Sequence, residues 1–157
     1  MMEELTTRQN TEQKRGQQAW QDIRVIAGMG EKAQKEYRSL ARGLNAMIQT
    51  NGLGQTLGFL HAKSKGQDDQ RRPIKTVHAH LLGHLTHWMS TSFDATIPDV
   101  TDRVYDGLLQ WLLTETTSST DYRRATTECL AFGRWLSRFA EAELQDPESL
   151  PPQGEPA

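Results

Sequence analysis

From Tyr37 to Ile48 the side chains Tyr37, Leu40, Ala41, Leu44, Met47 and Ile48 recur at i, i+3, i+4 and i+7. That is the period of a helix with one buried face. A strand would instead alternate its side chains every second residue. Asn51-Gly52 interrupts the pattern with two residues that accept a positive φ, so the helix can end in a left-handed cap before Leu53 opens another. Leu53, Leu57 and Leu60 continue the helical period, and Gly54 and Gly58, one turn apart, leave a groove free of side chains where another helix can approach. No segment of the chain shows sustained period-two alternation, so no sheet is expected.

Six helices are predicted. The first runs from about Thr11 to Ala27, buries Trp20, Ile23 and Ala27, and stops at Gly28-Met29-Gly30. The second covers about Glu31 to Gln49 and the third about Leu53 to Ser64, followed by a polar loop from Lys65 to Arg72. Pro73 suits the first turn of a fourth helix ending near Thr91, with Ile74, Val77, Leu81, Leu85 and Trp88 on its apolar face. Asp99 is the expected N-cap of a fifth, reaching about Thr114 and burying Val100, Val104, Leu108, Trp111 and Leu112. A sixth runs from Asp121 to about Leu144. The expected fold is all-α, a single-domain bundle over residues 1–145, with a disordered Pro-rich tail at 146–157 that holds four of the six prolines.

A chain of 157 residues suffices for one domain burying roughly 70% of its unfolded surface and is too short for two ordinary ones. No run approaches the roughly 18 to 20 apolar residues of a membrane span, and the N-terminus lacks the apolar core of a signal peptide. A cytoplasmic protein without membrane contact is expected. The lone cysteine, Cys129, has no internal partner and reads as a small apolar side chain on the inner face of the last helix, with Tyr122, Ala125, Leu136 and Ala140.

The net charge of −2 conceals an asymmetry. Residues 1–75 hold 13 Lys and Arg against 8 Asp and Glu, whereas residues 76–157 hold 5 against 12. The basic half is where an anionic partner would bind, although two halves of opposite sign can also attract each other within the fold or between copies. Lys35, Arg38 and Arg42 fall within about 60 degrees on the second helix, opposite its apolar face. Lys63 and Lys65 close the third helix, Arg71, Arg72 and Lys75 follow, and Lys14 and Arg15 lie on the first. These ten side chains are the candidate nucleic-acid backbone-binding residues, and phosphate contacts of this kind fix register without reading bases.

Enzymatic constellations are weaker. His80, His84 and His87 share one helical face, and imidazoles one turn apart can chelate a metal. They lie away from the apolar face with no Asp or Glu nearby in that helix, so a solvated face is the expectation and no metal is assigned. Arg72 and His78, separated by five residues, superficially resemble the Arg-to-His spacing of helical HEPN ribonucleases, but Pro73 interrupts the pair. The glycines at 52, 54 and 58 suggest a dinucleotide-binding turn, which requires a preceding strand where this chain has a helix. No nucleophile adjoins a base, and neither an enzyme nor a cofactor is expected.

One stretch resembles a known family. Ile48-Gln49-Thr50-Asn51-Gly52-Leu53, followed by Gln55-Thr56-Leu57-Gly58-Phe59-Leu60 and preceded by Tyr37-Arg38-Ser39-Leu40, is similar to the signature of the small subunit of type III-B CRISPR RNA-targeting effector assemblies, the Cmr complexes. A weaker match lies at Asp121-Tyr122-Arg123-Arg124-Ala125-Thr126-Thr127-Glu128. Asn45 and Gly58 stand where that family often has Pro and Ala, which affects kinking and packing. The resemblance implies an all-helical, non-catalytic subunit. Copies of it would stack head to tail beside the guide-holding backbone subunits and help hold the guide–target RNA duplex. Cleavage would belong to a backbone subunit and cyclic oligonucleotide synthesis to the large subunit. The implied partners are the backbone and large Cmr subunits, further copies of the chain, and guide and target RNA. The alternatives are a helical protein–protein interaction module without RNA contact, or a HEPN-like or metal-dependent ribonuclease.

Overall fold

The computed structural model describes residues 2–148; the part of the expected tail at 149–157 lies outside them. The order of elements is α1 (Met2–Ala27), α2 (Glu31–Asn51), α3 (Leu53–Ala62), β1 (Lys65–Gln67), β2 (Pro73–Lys75), α4 (Val77–Ser92), α5 (Gly107–Leu112) and α6 (Ser119–Glu143). The predicted helical bundle is present. Among the described residues its only sheet is a three-residue antiparallel ladder pairing Lys65 with Lys75 and Gln67 with Pro73.

Helix α4 forms the axis. Val77, Ala79, Leu81, Leu82, Leu85, Thr86, Trp88 and Met89 are all buried, on every side of the helix but that of His80, His84 and His87, because α1, α2, α3, α5 and α6 all pack around it. Enclosure of this kind calls for apolar side chains nearly all round, which separates α4 from its amphipathic neighbours. Trp88 stacks on Phe132 of α6 with centroids 5.1 Å apart, and its indole N–H donates to Glu128 at 3.0 Å.

Helices α2 and α6 run antiparallel. Arg38 donates to the Leu144 carbonyl at 3.1 Å and Asn45 to the Leu130 carbonyl at 3.0 Å, and beyond the end of α2 the Gly54 amide of α3 donates to the Tyr122 hydroxyl at 2.8 Å. A Cβ on Gly133 would overlap the Asn45 side chain, so the two helices touch where one of them lacks a side chain. The α2–α3 break is as expected: Gly52 takes φ 87° and its amide donates to the Ile48 carbonyl at 2.8 Å. The expected glycine groove is used at one end only, by a side chain of α6. Gly54 meets the Tyr122 phenol, and nothing lies within 4 Å of where a Cβ on Gly58 would be.

Two boundaries differ from expectation. Pro73 opens a strand and not a helix, because the Asp68 carboxylate accepts the Gln70 and Arg72 amides and folds residues 68–72 into a hairpin turn. The N-cap of α4 is Thr76, whose hydroxyl accepts the Ala79 amide at 3.2 Å and donates to the Lys63 carbonyl at 2.7 Å. Ile74 is consequently exposed. Residues 99–106 form an irregular segment with a bend at 102–103, so α5 begins only at Gly107 and leaves Val104 exposed. A Cβ on Gly107 would collide with the Pro98 carbonyl, which accounts for glycine at that start. On α1, Trp20 is also part-exposed, packed edge-on against Phe139 with Ile26 taking the inner position.

Candidate nucleic-acid interface

The ten candidate cations are not equivalent once folded. On α1, Arg15 forms a two-pronged ion pair with Glu128, at 2.7 and 2.8 Å, and a third bond to Glu12 at 2.8 Å. The bond to Glu128 raises its pKa above an already high value. It is a bolt between α1 and α6, not a free cation. Lys14 next to it is exposed and has no partner among the described residues.

The α2 stripe divides. Lys35 pairs with Glu31 at 2.7 Å. Arg38 is drawn over the end of α6 by the Leu144 carbonyl, with the Asp146 carboxylate 3.9 Å away. Arg42 alone remains exposed without an ion pair or hydrogen bond to its side chain among the described residues.

Around the hairpin, Arg72 is tied to Asp68 at 2.7 Å, and the hydrogen bonds at that turn lower the Asp68 pKa, led by the one from the Arg72 backbone. Lys63 lies 5.9 Å from the Phe59 ring centroid. Lys75 lies 4.2 Å from that of Tyr105, and burial lowers its pKa. Lys65 faces Lys75 across the ladder, and both line a groove with Ile74, Arg103 and Tyr105. Arg71 is exposed at the turn with φ 61°.

A further group of unpaired cations includes residues the charge count points away from. Arg134 and Arg138, one turn apart on α6, line a groove with Arg42, Asn45, Ser137 and Glu141. Neither arginine has an ion pair or side-chain hydrogen bond among the described residues. Arg123 continues the same face three turns earlier, giving a ridge about 22 Å long at 1.5 Å per residue. Beside it Arg124 lies 5.6 Å from the Phe93 centroid, and both line a depression with Thr127. The 11- and 15-residue spacings from Arg123 are a readable signal. Charge counting hides it, because these arginines fall in the half with negative net charge.

The histidine face differs from expectation. Burial drives the His84 pKa down to about 3, and His80, half-buried, to about 4. His84 Nδ1 lies 2.7 Å from the Tyr37 hydroxyl, and His87 Nδ1 lies 3.0 Å from Asp99. His84 thus faces packed neighbours, whereas His87 keeps a solvent-exposed side chain. No group of three or more His, Cys, Asp or Glu among the described residues is arranged to hold a metal. Cys129 is buried on the inner face of α6, and burial raises its pKa far above the thiol range. No helix of the described residues is long and apolar enough to cross a membrane.

Two comparisons bear on this arrangement. A family model described as CRISPR-associated protein (Cas_Cmr5) matches residues 11–143. A crystal structure of a CRISPR-associated Cmr5 family protein from Thermus thermophilus is similar with a TM-score of 0.62 and 25% identity, covering 85% of this chain and 97% of that one.

Proposed function

The chain belongs to the Cas_Cmr5 family, the small subunits of type III-B Cmr assemblies, and from that premise we propose that it holds RNA in the effector complex through its backbone phosphates. It acts without catalysis, in the cytoplasm, as one of several copies stacked beside the backbone and large subunits. The observation that supports the RNA contact is the convergence of Arg42, Arg134 and Arg138 on one groove, whose carboxylate, Glu141, forms an ion pair with none of them. Guanidinium groups left unpaired on a rigid helix suit phosphate, which they can bind through two parallel hydrogen bonds. The hairpin cations Lys65, Arg71 and Lys75 form a second basic region on the same reading, with Lys14 a further free cation. Arg15, Lys35, Arg38 and Arg72 serve the fold first.

Such binding is independent of sequence, and guide pairing supplies the specificity. The test is RNA affinity, measured by filter binding, of the full chain and of the reconstituted complex carrying Arg134→Glu and Arg138→Glu. Loss of affinity with an unchanged circular dichroism spectrum supports the reading. Unchanged affinity in both settings would remove the ridge as the contact, and absence of RNA affinity in the parent chain and complex would leave the chain as an assembly module without RNA contact.

A further inference from the structure

Beside the arginine ridge lies an aromatic wall that phosphate binding does not use. Trp135 stacks on Phe139, centroids 5.4 Å apart and planes inclined by 29°, and Trp20 of α1 meets Phe139 edge-on at 5.1 Å. Trp20 is 37% exposed. Trp135 lines a cavity of about 340 Å³ with Glu12, Ala131, Arg134 and Arg138, large enough for one heterocyclic base.

The ring is held from two sides. A Cβ on Gly16 would lie 3.5 to 3.6 Å from three atoms of its six-membered ring, so the α1 backbone supports the indole. Its Nε1 donates to Glu12 at 2.9 Å, and Glu12 is fixed in turn by Arg15 at 2.8 Å. Little side-chain freedom is left to lose on binding.

We propose that this cavity takes an unpaired nucleobase of single-stranded RNA, with Trp135 as the stacking wall and Arg134 and Arg138 on the flanking phosphates. The inference rests on the RNA-binding reading above and adds a discrimination which that reading lacks. A ridge of cations accepts a duplex or a single strand alike. A base inside a duplex is stacked on its neighbours and cannot enter a side cavity, whereas an unstacked base can. The Glu12 carboxylate retains lone pairs beyond its two bonds for an exocyclic amino group. Two unpaired guanidinium groups one turn apart match the succession of phosphates along a strand. An acidic proline-containing peptide would also fit an aromatic wall, and the experiment separates it.

Fluorescence anisotropy with the full chain would compare labelled oligoadenylate, an abasic sugar–phosphate oligomer of the same length and a blunt RNA duplex. Oligoadenylate is expected to bind about 5- to 100-fold tighter than the abasic oligomer, and to quench indole emission where the abasic oligomer does not. Trp135→Ala should abolish the difference, Trp135→Phe should keep most of it without the quench, and Arg134→Ala with Arg138→Ala should weaken both oligomers. Equal affinity for the two single strands overturns the base cavity while leaving the phosphate ridge standing. Absence of binding to any RNA removes both readings. Displacement of oligoadenylate, but not of the abasic oligomer, by an acidic proline-containing peptide would assign the cavity to protein and overturn the proposal.

Discussion

The phenol oxygen of Tyr37 and Nδ1 of His84 share a 2.7 Å hydrogen bond across the α2–α4 interface. Burial, with smaller contributions from His80, Lys75 and His87, keeps that imidazole neutral down to about pH 3. An unfolded chain binds the proton near 6.5, so in this window the unfolded state carries more protons than the folded one. Stability that is complete above pH 6.5 is therefore lost as pH falls toward 3. Urea midpoints should decline over that interval, and His84→Gln, which has nothing to protonate there, should decline less steeply. Parallel declines would remove His84 as a cause.

Asp22 behaves in the opposite sense. One of its oxygens accepts from Gln18 at 2.9 Å, the other is buried without a partner, and burial raises its pKa to about 7. The folded state then holds a proton the unfolded state has released, so stability is full below 3.8 and falls as pH rises to about 7. Asp22→Asn should exceed the parent in stability at pH 8 by about 1 kcal/mol or more, an advantage that shrinks toward pH 4. Denaturant titrations at both pH values decide it.

Charge removal should separate the free arginines from the structural one. Arg134→Gln with Arg138→Gln should lower the slope of log K against log salt by about 1.4, at roughly 0.7 per phosphate contact, with little change in thermal midpoint. Arg15→Gln should leave the slope unchanged and cost about 2 to 3 kcal/mol, because Glu128 loses its charged partner in a part-buried site and keeps only the Trp88 indole. A salt-slope change in the Arg15 variant would contradict the division.

Gly133→Ala should destabilise the α2–α6 contact by about 1 to 3 kcal/mol through the overlap with Asn45. Pairing it with Asn45→Ala should recover part of that loss. Calorimetry on the two single variants and the double variant gives the coupling, and a purely additive result would show that the clash lies elsewhere.

The helical period is enough to locate α2, α3 and the inner face of α6, because an amphipathic stripe states its own burial. It misplaces the start of α4 because Pro73 fits a helix's first turn and an edge strand equally well. The deciding contact is between Thr76 and the Lys63 carbonyl, 13 residues earlier. His84 escapes the sequence for the same kind of reason: its partner is supplied by α2. Arg42 is legible as a free cation, whereas Arg15 looks identical to it until α6 brings Glu128 alongside. Net charge misleads at Arg134 and Arg138, since a count over half a chain ignores which acids are already engaged.

Helix α1 packs along α6, the last helix of the described chain, with α4 enclosed between the first and the last. During synthesis, a chain that has not yet released Ser119–Glu143 offers Trp88 no Phe132 and Arg15 no Glu128. The part of α4 that faces α6 is therefore covered only once the last helix has docked, whereas α1, α2, α3 and α5 cover the rest.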